Sequence, residues 1–348
     1  MRGNATSSLI TMALIEFAPL NVPWERRMQT FAALFWICTF FFMGLVAALI
    51  LAFIFFYTKY YYLTVLYLLW LWYDKDICER GGRRVQWVRK WALWKHYCNY
   101  FPIRLIKLAN LDPTKNYLFA CHPHGILCSG AFGNFATEGT NFSEVFPGLK
   151  PHLLTLQGHY IIPGYRDFLL CSGSVAASKD SLKYLLTNPE GGHVAAVIVG
   201  GASESFFCHP GTYQLVLKKR KGFIRIAMQT GASIVPVFSF GETDVYDQIS
   251  NPEGSILRTI QEKMRKVIGL APVLFLGRGI FQYSFGILPF RKPIYTVVGE
   301  PIHIDQNPHP TQEEVDKVHN EYVQALIRLF ETQKAKYLKD PNVKLTIS

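Results

Sequence analysis

The side chains with the most chemical potential lie together at Cys121-His122-Pro123-His124-Gly125. This turn follows directly on the apolar, β-rich run Tyr117–Cys121. The C-terminal ends of strands are where open α/β sheets place their sites. Imidazole titrates near neutrality, so either histidine suits removal of a proton from a hydroxyl. A satisfied loop histidine is the plainer alternative, and spacing alone does not choose between His122 and His124. Cys121, His122, His124 and Cys128 are too closely packed for an ordinary four-ligand zinc site, so no metal is expected.

A second apolar run ends in Val199-Gly200-Gly201-Ala202-Ser203-Glu204-Ser205. The glycine pair allows a sharp turn or a close approach and delivers one carboxylate beyond a strand end. Glu204 suits orienting a histidine or holding a substrate; a helix N-terminal acid is the equal alternative. Third comes Lys218-Lys219-Arg220-Lys221-Gly222, with Arg225 one turn on. Such a run is usually a solvated face, but at a helix start it suits several phosphates of a nucleotide-like group. Gly277-Arg278-Gly279 adds a weaker cationic signal. No Walker loop, dinucleotide fingerprint or nucleophile elbow is present.

The elements that must position these groups follow from pattern. Tyr117–Cys121, Val194–Val199, Ile234–Phe240 and Tyr295–Val298 read as buried strands bounded by Gly, Pro or Asn. Ser181–Leu186 and Lys221–Thr230 read as helices, the latter stopped by Gly231. Thr311-Gln312-Glu313-Glu314 reads as a capping box opening a long helix with Val315, Val318, Tyr322, Leu326 and Leu329 on its apolar face. Strands alternating with helices predict an α/β fold with a mixed, largely parallel sheet.

Before this domain comes a membrane segment. Met28–Thr58 carries no charge, and after Lys59 neither does Tyr60–Tyr73. About 20 apolar residues cross a bilayer core, so this is one long span or two short ones. Arg26-Arg27 precede it, and nine Lys/Arg against three Asp/Glu follow between Asp74 and Lys107. Positive charge on both flanks favours both ends on the cytosolic side, hence a helical hairpin. On that topology the glycosylation acceptors Asn4 and Asn141 stay unmodified. The expected organisation is a cytosolic segment 1–27, an anchor 28–73 and a catalytic domain 74–348. With 348 residues, 50% hydrophobic and 18% charged, a disordered chain and a coiled coil are excluded. The net charge of +11 beside a greasy segment points to anionic membrane surfaces and anionic small molecules, not nucleic acid. Seven cysteines without paired spacing argue against a disulfide scaffold.

In chain order, His122-Pro123-His124-Gly125, Phe146-Pro147-Gly148, Val199–Glu204, Arg220-Lys221-Gly222-Phe223, Val235–Glu242, Gly277-Arg278-Gly279 and Thr296–Pro301 resemble the type 2 diacylglycerol acyltransferase family. That family includes the monoacylglycerol acyltransferases and wax-ester synthases. The likeness runs from about Phe17 to the C-terminus. Glu16–Leu20, Pro23–Arg27 and Gly279–Phe285 look most like its monoacylglycerol members, and Met12 resembles the family's initiator. The resemblance implies an endoplasmic-reticulum membrane enzyme with a glycerophosphate-acyltransferase-like fold facing the cytosol. It would move a fatty acyl group from acyl-CoA, a co-substrate rather than a bound cofactor, to an acylglycerol hydroxyl. The His-x4-Asp motif of the wider group is absent: Leu127 and Ser129 stand where the aspartate would be. Leu276 stands where His usually precedes Gly-Arg-Gly.

The expectation is therefore that His124, oriented by Glu204, acts as base, with His122 the other candidate. Lys218, Arg220 and Lys221, with Arg278, would hold the phosphates of coenzyme A, and Lys179, where the family commonly has Arg, is a further candidate. Direct transfer is expected, since no Ser or Cys sits in a recognised nucleophile setting, with Cys121 the exception to test. Monoacylglycerol is the expected acceptor, with diacylglycerol or a fatty alcohol as alternatives. A hydrolase and an inactive membrane lipid-binding protein are the readings of other classes. Oligomeric state has no signature in the sequence.

Overall fold

The computed structural model describes residues 15–348. Residues 1–14, with Asn4 and Met12, lie outside the described residues.

In chain order the strands are β1 (Ile103–Lys107), β2 (Tyr117–His122), β3 (Lys150–Thr155), β4 (Val175–Ala176), β5 (His193–Ile198), β6 (Tyr213–Leu215), β7 (Ser233–Phe240), β8 (Asp247–Gln248), β9 (Phe275–Leu276), β10 (Ile294–Val298) and β11 (Leu345–Ile347). Seven of them form one sheet in the order β1-β10-β7-β2-β5-β3-β4. Every pairing in it is parallel except β10 with β7. The mixed, largely parallel sheet expected from the sequence is what forms.

β2 is central, and its composition says why. Tyr117, Phe119 and Cys121 face one apolar cluster, while Leu118 and Ala120 face the other. A strand covered on both faces reads as a continuous apolar run because neither face meets water. The second cluster is roofed by the helix Gln312–Tyr337, opened by the expected capping box at Thr311 and Glu314. Val315, Tyr322, Leu326 and Leu329 are its buried face.

The apolar N-terminal segment forms α1 (Trp24–Tyr57) and α2 (Tyr61–Tyr73). α1 is long and apolar enough to cross a membrane. It is divided in use. Ala32, Ala33, Trp36 and Ile37 are buried in the first cluster, where Trp36 meets Tyr97 and Phe132. Leu45, Leu49, Phe53 and Phe56 are exposed. The sequence-based boundary at Met28 therefore falls inside a helix whose first half packs on the α/β domain.

The break between the helices needs neither Gly nor Pro. Thr58 is extended; its hydroxyl donates to the Ile54 carbonyl (2.8 Å) and accepts from the Tyr60 N–H (3.0 Å). α2 then packs on α1, with the Thr64 hydroxyl donating to the Leu51 carbonyl (3.1 Å). It reaches the domain again through Tyr67 to Asp167 (2.7 Å) and Arg166 to Asp74 (2.7 Å).

Candidate active site

β7, β2 and β5 are neighbours, and their C-terminal ends deliver the chemistry. β2 ends at His122, β5 leads through Gly200-Gly201 to Glu204, and β7 leads through Gly241 to Glu242. Each passage from strand to acid runs through glycine for a spatial reason. A Cβ on Gly200 would lie 1.9 Å from Glu204 Cδ, and Gly241 sits at φ +86°.

The two histidines occupy different environments. His122 is fully buried. Its Nε2 lies 2.9 Å from the Tyr322 hydroxyl, which itself donates to the Ala120 carbonyl (3.3 Å). The Tyr322 oxygen is thereby left to accept, which places the His122 proton on Nε2. Nδ1 lies 3.9 Å from Glu204 Oε1 and has no hydrogen-bond partner. The ring itself presents no exposed surface.

His124 is only partly buried. Its Nδ1 faces the Gly125 carbonyl (3.1 Å) and the Ser205 hydroxyl (3.0 Å), and Ser205 also donates to Gly125 O (2.9 Å). A carbonyl only accepts, so Nδ1 carries the proton and Nε2 keeps its lone pair. Burial lowers the pKa of this imidazole from its ordinary value, with the Gly125 carbonyl and Glu204 opposing. At neutral pH it is an uncharged base. The acid limb of kcat/KM is accordingly expected to have its midpoint below the usual histidine value near 6.5. A profile with that midpoint at or above 6.5 would contradict the environment described here.

Glu204 does not meet the His124 ring as the sequence suggested. Its Oε2 accepts from the His124 backbone N–H (2.9 Å), and its Oε1 accepts from the Val216 N–H (2.9 Å). It fixes the main chain that carries His124, while Gly125 and Ser205 fix the ring.

Two acidic supports flank the turn, and the second was not singled out from sequence. Glu242 is buried and accepts from the Ser129 (2.6 Å) and Gly130 (2.8 Å) N–H groups. Burial pushes its carboxyl up to about 8, against the pull of those two N–H bonds. Gly125, at φ +66°, lies directly over it: a Cβ there would sit 2.7 Å from Glu242 Cγ. The signal was present, since Gly241-Glu242 repeats at β7 the strand–glycine–acid pattern seen after β5. Ser205 and Tyr322 were also missed as site residues, because nothing local distinguishes them.

Cys121 is buried, and burial pushes its thiol above the ordinary range. A thiol so placed is a poor nucleophile. Among the described residues, no group of three or more His, Cys, Asp or Glu could hold a metal ion.

The cations divide. Arg220 is drawn to the strand end that bears Glu204, donating to the Gly200 carbonyl (3.3 Å) and the Ser203 hydroxyl (3.2 Å). Lys218 and Lys221 lie on the same connection; Lys218 is exposed, and Lys221 pairs with Asp316 (2.8 Å). Arg278 is nearly buried, its guanidinium over the rings of Tyr283 (4.4 Å) and Tyr100 (5.8 Å). Lys179 opens the helix Lys179–Leu186 after edge strand β4, which β5 and β3 separate from β2. His122, His124, Glu204 and Arg220 thus converge, while Arg278 packs on Tyr100 and Tyr283 and Lys179 stands after edge strand β4.

Residues 53–348 match the family model described as diacylglycerol acyltransferase. The chain belongs to the diacylglycerol acyltransferase family. Relatives in this family include 2-acylglycerol O-acyltransferase 1 of Bos taurus, 48% identical over 93% of this chain and 96% of that one. Diacylglycerol O-acyltransferase 2 of Homo sapiens is 43% identical over 95% of this chain and 87% of that one. A solved structure, the 1-acyl-sn-glycerophosphate acyltransferase PlsC of Thermotoga maritima, aligns over 89% of this chain and 97% of that one at 14% identity, with a TM-score of 0.40. Family membership makes the chain an acyltransferase, and the site at the ends of β2, β5 and β7 is where its chemistry is to be sought.

Proposed function

We propose that the chain transfers a fatty acyl group from acyl-CoA to monoacylglycerol, forming diacylglycerol at the endoplasmic-reticulum membrane with its α/β domain in the cytosol. The observation that carries the mechanism is the state of His124: Nδ1–H held by Gly125 and Ser205, Nε2 left with its lone pair. Nε2 removes the acceptor hydroxyl's proton as that oxygen attacks the thioester carbonyl. The tetrahedral oxyanion is steadied by N–H groups of the turn around Gly125. Its collapse breaks the carbon–sulfur bond, and the proton held on Nε2 goes to the departing thiolate. Transfer is direct, since the inert Cys121 offers no acyl-enzyme route. Arg220, with Lys218 and Lys221, holds coenzyme A phosphates beside Glu204. Lys179 and Arg278 are candidates for outer contacts with the same cofactor-like moiety.

Two observations support monoacylglycerol as acceptor. One is the 48% identity with a 2-acylglycerol O-acyltransferase, narrowly above the 47% with the diacylglycerol O-acyltransferase 2 of Dictyostelium discoideum. The other is that the two segments most like monoacylglycerol members pair with each other. Phe17 bridges Gln282, the Ala18 N–H donates to Phe281 O (2.9 Å), and the Tyr283 N–H donates to Glu16 O (2.8 Å). Topology is read from the helix pair. α2 has 13 residues, about 20 Å at 1.5 Å per residue, against a hydrocarbon core of about 30 Å. Both ends of the pair return to the same domain, and Tyr57, Lys59 and Tyr60–Tyr62 at its tip are interface-seeking residues.

The test is acyl transfer in isolated membranes, with labelled acyl-CoA and one of three acceptors. Label is expected in diacylglycerol when monoacylglycerol is supplied, at a higher rate than into triacylglycerol or wax ester from diacylglycerol or fatty alcohol. A preference for either other acceptor reassigns the substrate. Release of free fatty acid regardless of acceptor makes the enzyme a hydrolase.

A further inference from the structure

The helix Ile256–Ile268 is inside out. Its buried face is polar: Arg258 and Gln261 are 5% and 3% exposed. Gln261 donates to the Pro272 carbonyl (3.1 Å) and accepts from Asn251 (3.0 Å). Arg258 pairs with Glu262 (2.7 Å). The outward face is apolar. Ile256, Ile260, Met264 and Val267 are 81%, 51%, 45% and 85% exposed, and their spacing of four, four and three residues makes one stripe. Water on that stripe would reverse the usual pattern of a surface helix, in which the apolar face turns inward.

We propose that this helix lies in the plane of the same phospholipid bilayer that receives α1 and α2, its stripe among the acyl chains. Continuity argues for that occupant. Phe41 of α1 stacks on Phe275 of β9 at 6.3 Å, and Leu270, Leu274 and Leu276 carry exposed apolar surface from the helix to that contact. Charge argues for it as well. The helix bears Arg258, Lys263, Arg265 and Lys266 against the single carboxylate of Glu262, and Lys263 and Lys266 are exposed. Apolar stripe and flanking lysines together are the chemistry of an interfacial helix on anionic lipid.

The placement has a consequence for the site. Arg258 lies over the rings of Phe206 and Phe207 at 4.3 and 4.6 Å, and both belong to the 3₁₀ segment Gly201–Phe207 that carries Glu204 and Ser205. A bilayer-bound helix would therefore hold this wall of the site at the membrane surface, where an apolar acceptor arrives.

The inference rests on the membrane placement of α1 and not on the choice of acceptor. It is tested on the full chain in vesicles of phosphatidylcholine and phosphatidylserine, with the photocrosslinker p-benzoylphenylalanine in place of Ile260 or Val267. Leu49 on α1 serves as the positive position and Glu321, on the helix that covers the opposite sheet face, as the negative one. Phospholipid adducts are expected at 260 and 267 as at 49, on the order of tenfold above those at 321. Adducts at 49 without adducts at 260 and 267 would overturn the interfacial helix alone. Crosslinks from 260 or 267 to a second polypeptide would overturn it in favour of a protein interface. Absence of adducts at 49 too would overturn the membrane placement on which it rests.

Discussion

Replacing His124 with alanine is expected to cut acyl transfer by roughly 10²–10⁴-fold, the range for loss of a general base. The protein should remain in membranes at normal abundance. Both halves of this expectation follow from the ring's surroundings. The imidazole is only partly buried and its polar contacts are Gly125 O and the Ser205 hydroxyl, which bond each other without it. Glu204 holds the His124 backbone, which alanine retains. The turn therefore survives the substitution, and what is lost is the Nε2 lone pair. Single-turnover transfer, normalised to protein in the membrane, checks it; near-normal turnover would remove His124 from the chemistry.

Glu204→Gln should be the next most costly change, with turnover lowered roughly 10- to 100-fold. The carboxylate receives one N–H on each oxygen, from Val216 and from His124. An amide keeps one acceptor and turns its own NH₂ toward the other N–H, leaving a buried donor unpaired at about 1–3 kcal/mol. Much of that cost falls on the placement of His124. Because Glu204 acts through the His124 backbone, the pair should behave as a unit: with His124 already alanine, adding Glu204→Gln should change the residual rate little. Independent, multiplying losses in the double variant would mean that Glu204 serves the reaction by another route.

The frame of this fold was legible because its strands are buried on both faces. Such strands read as unbroken apolar runs, and Tyr117–His122, His193–Ile198, Ser233–Phe240 and Ile294–Val298 were all placed to within a residue or so. The Thr311–Glu314 capping box was equally plain, being a short-range pattern. What sequence could not give was convergence. Tyr322 lies two hundred residues from His122, and only the packing of the Gln312–Tyr337 helix across the sheet brings its hydroxyl to that ring. Glu204 was recognised, but its bonds run to main-chain N–H groups, and no spacing rule distinguishes those from a bond to imidazole.

The cations teach the same lesson from the other side. Arg220 and Arg278 look alike in sequence, each a cation within two residues of a glycine. One is held at the strand end that bears Glu204, and the other is spent on Tyr100 and Tyr283. The break after Tyr57 is made by a threonine hydroxyl, without Gly or Pro. The Ile256–Ile268 helix was not anticipated, since only the structure tells which of its faces turns inward.

The central claim is that His124 and not His122 takes the proton, and paired variants test it most directly. His122→Gln keeps a donor near the position of Nε2 for Tyr322, so the buried bond can persist. Both variants are to be measured side by side for transfer of labelled acyl groups from acyl-CoA to monoacylglycerol, at equal protein abundance. The account predicts that His122→Gln retains turnover within about tenfold of the parent while His124→Ala loses roughly 10²–10⁴-fold. A stably folded His122→Gln without activity, beside an active His124→Ala, would contradict it.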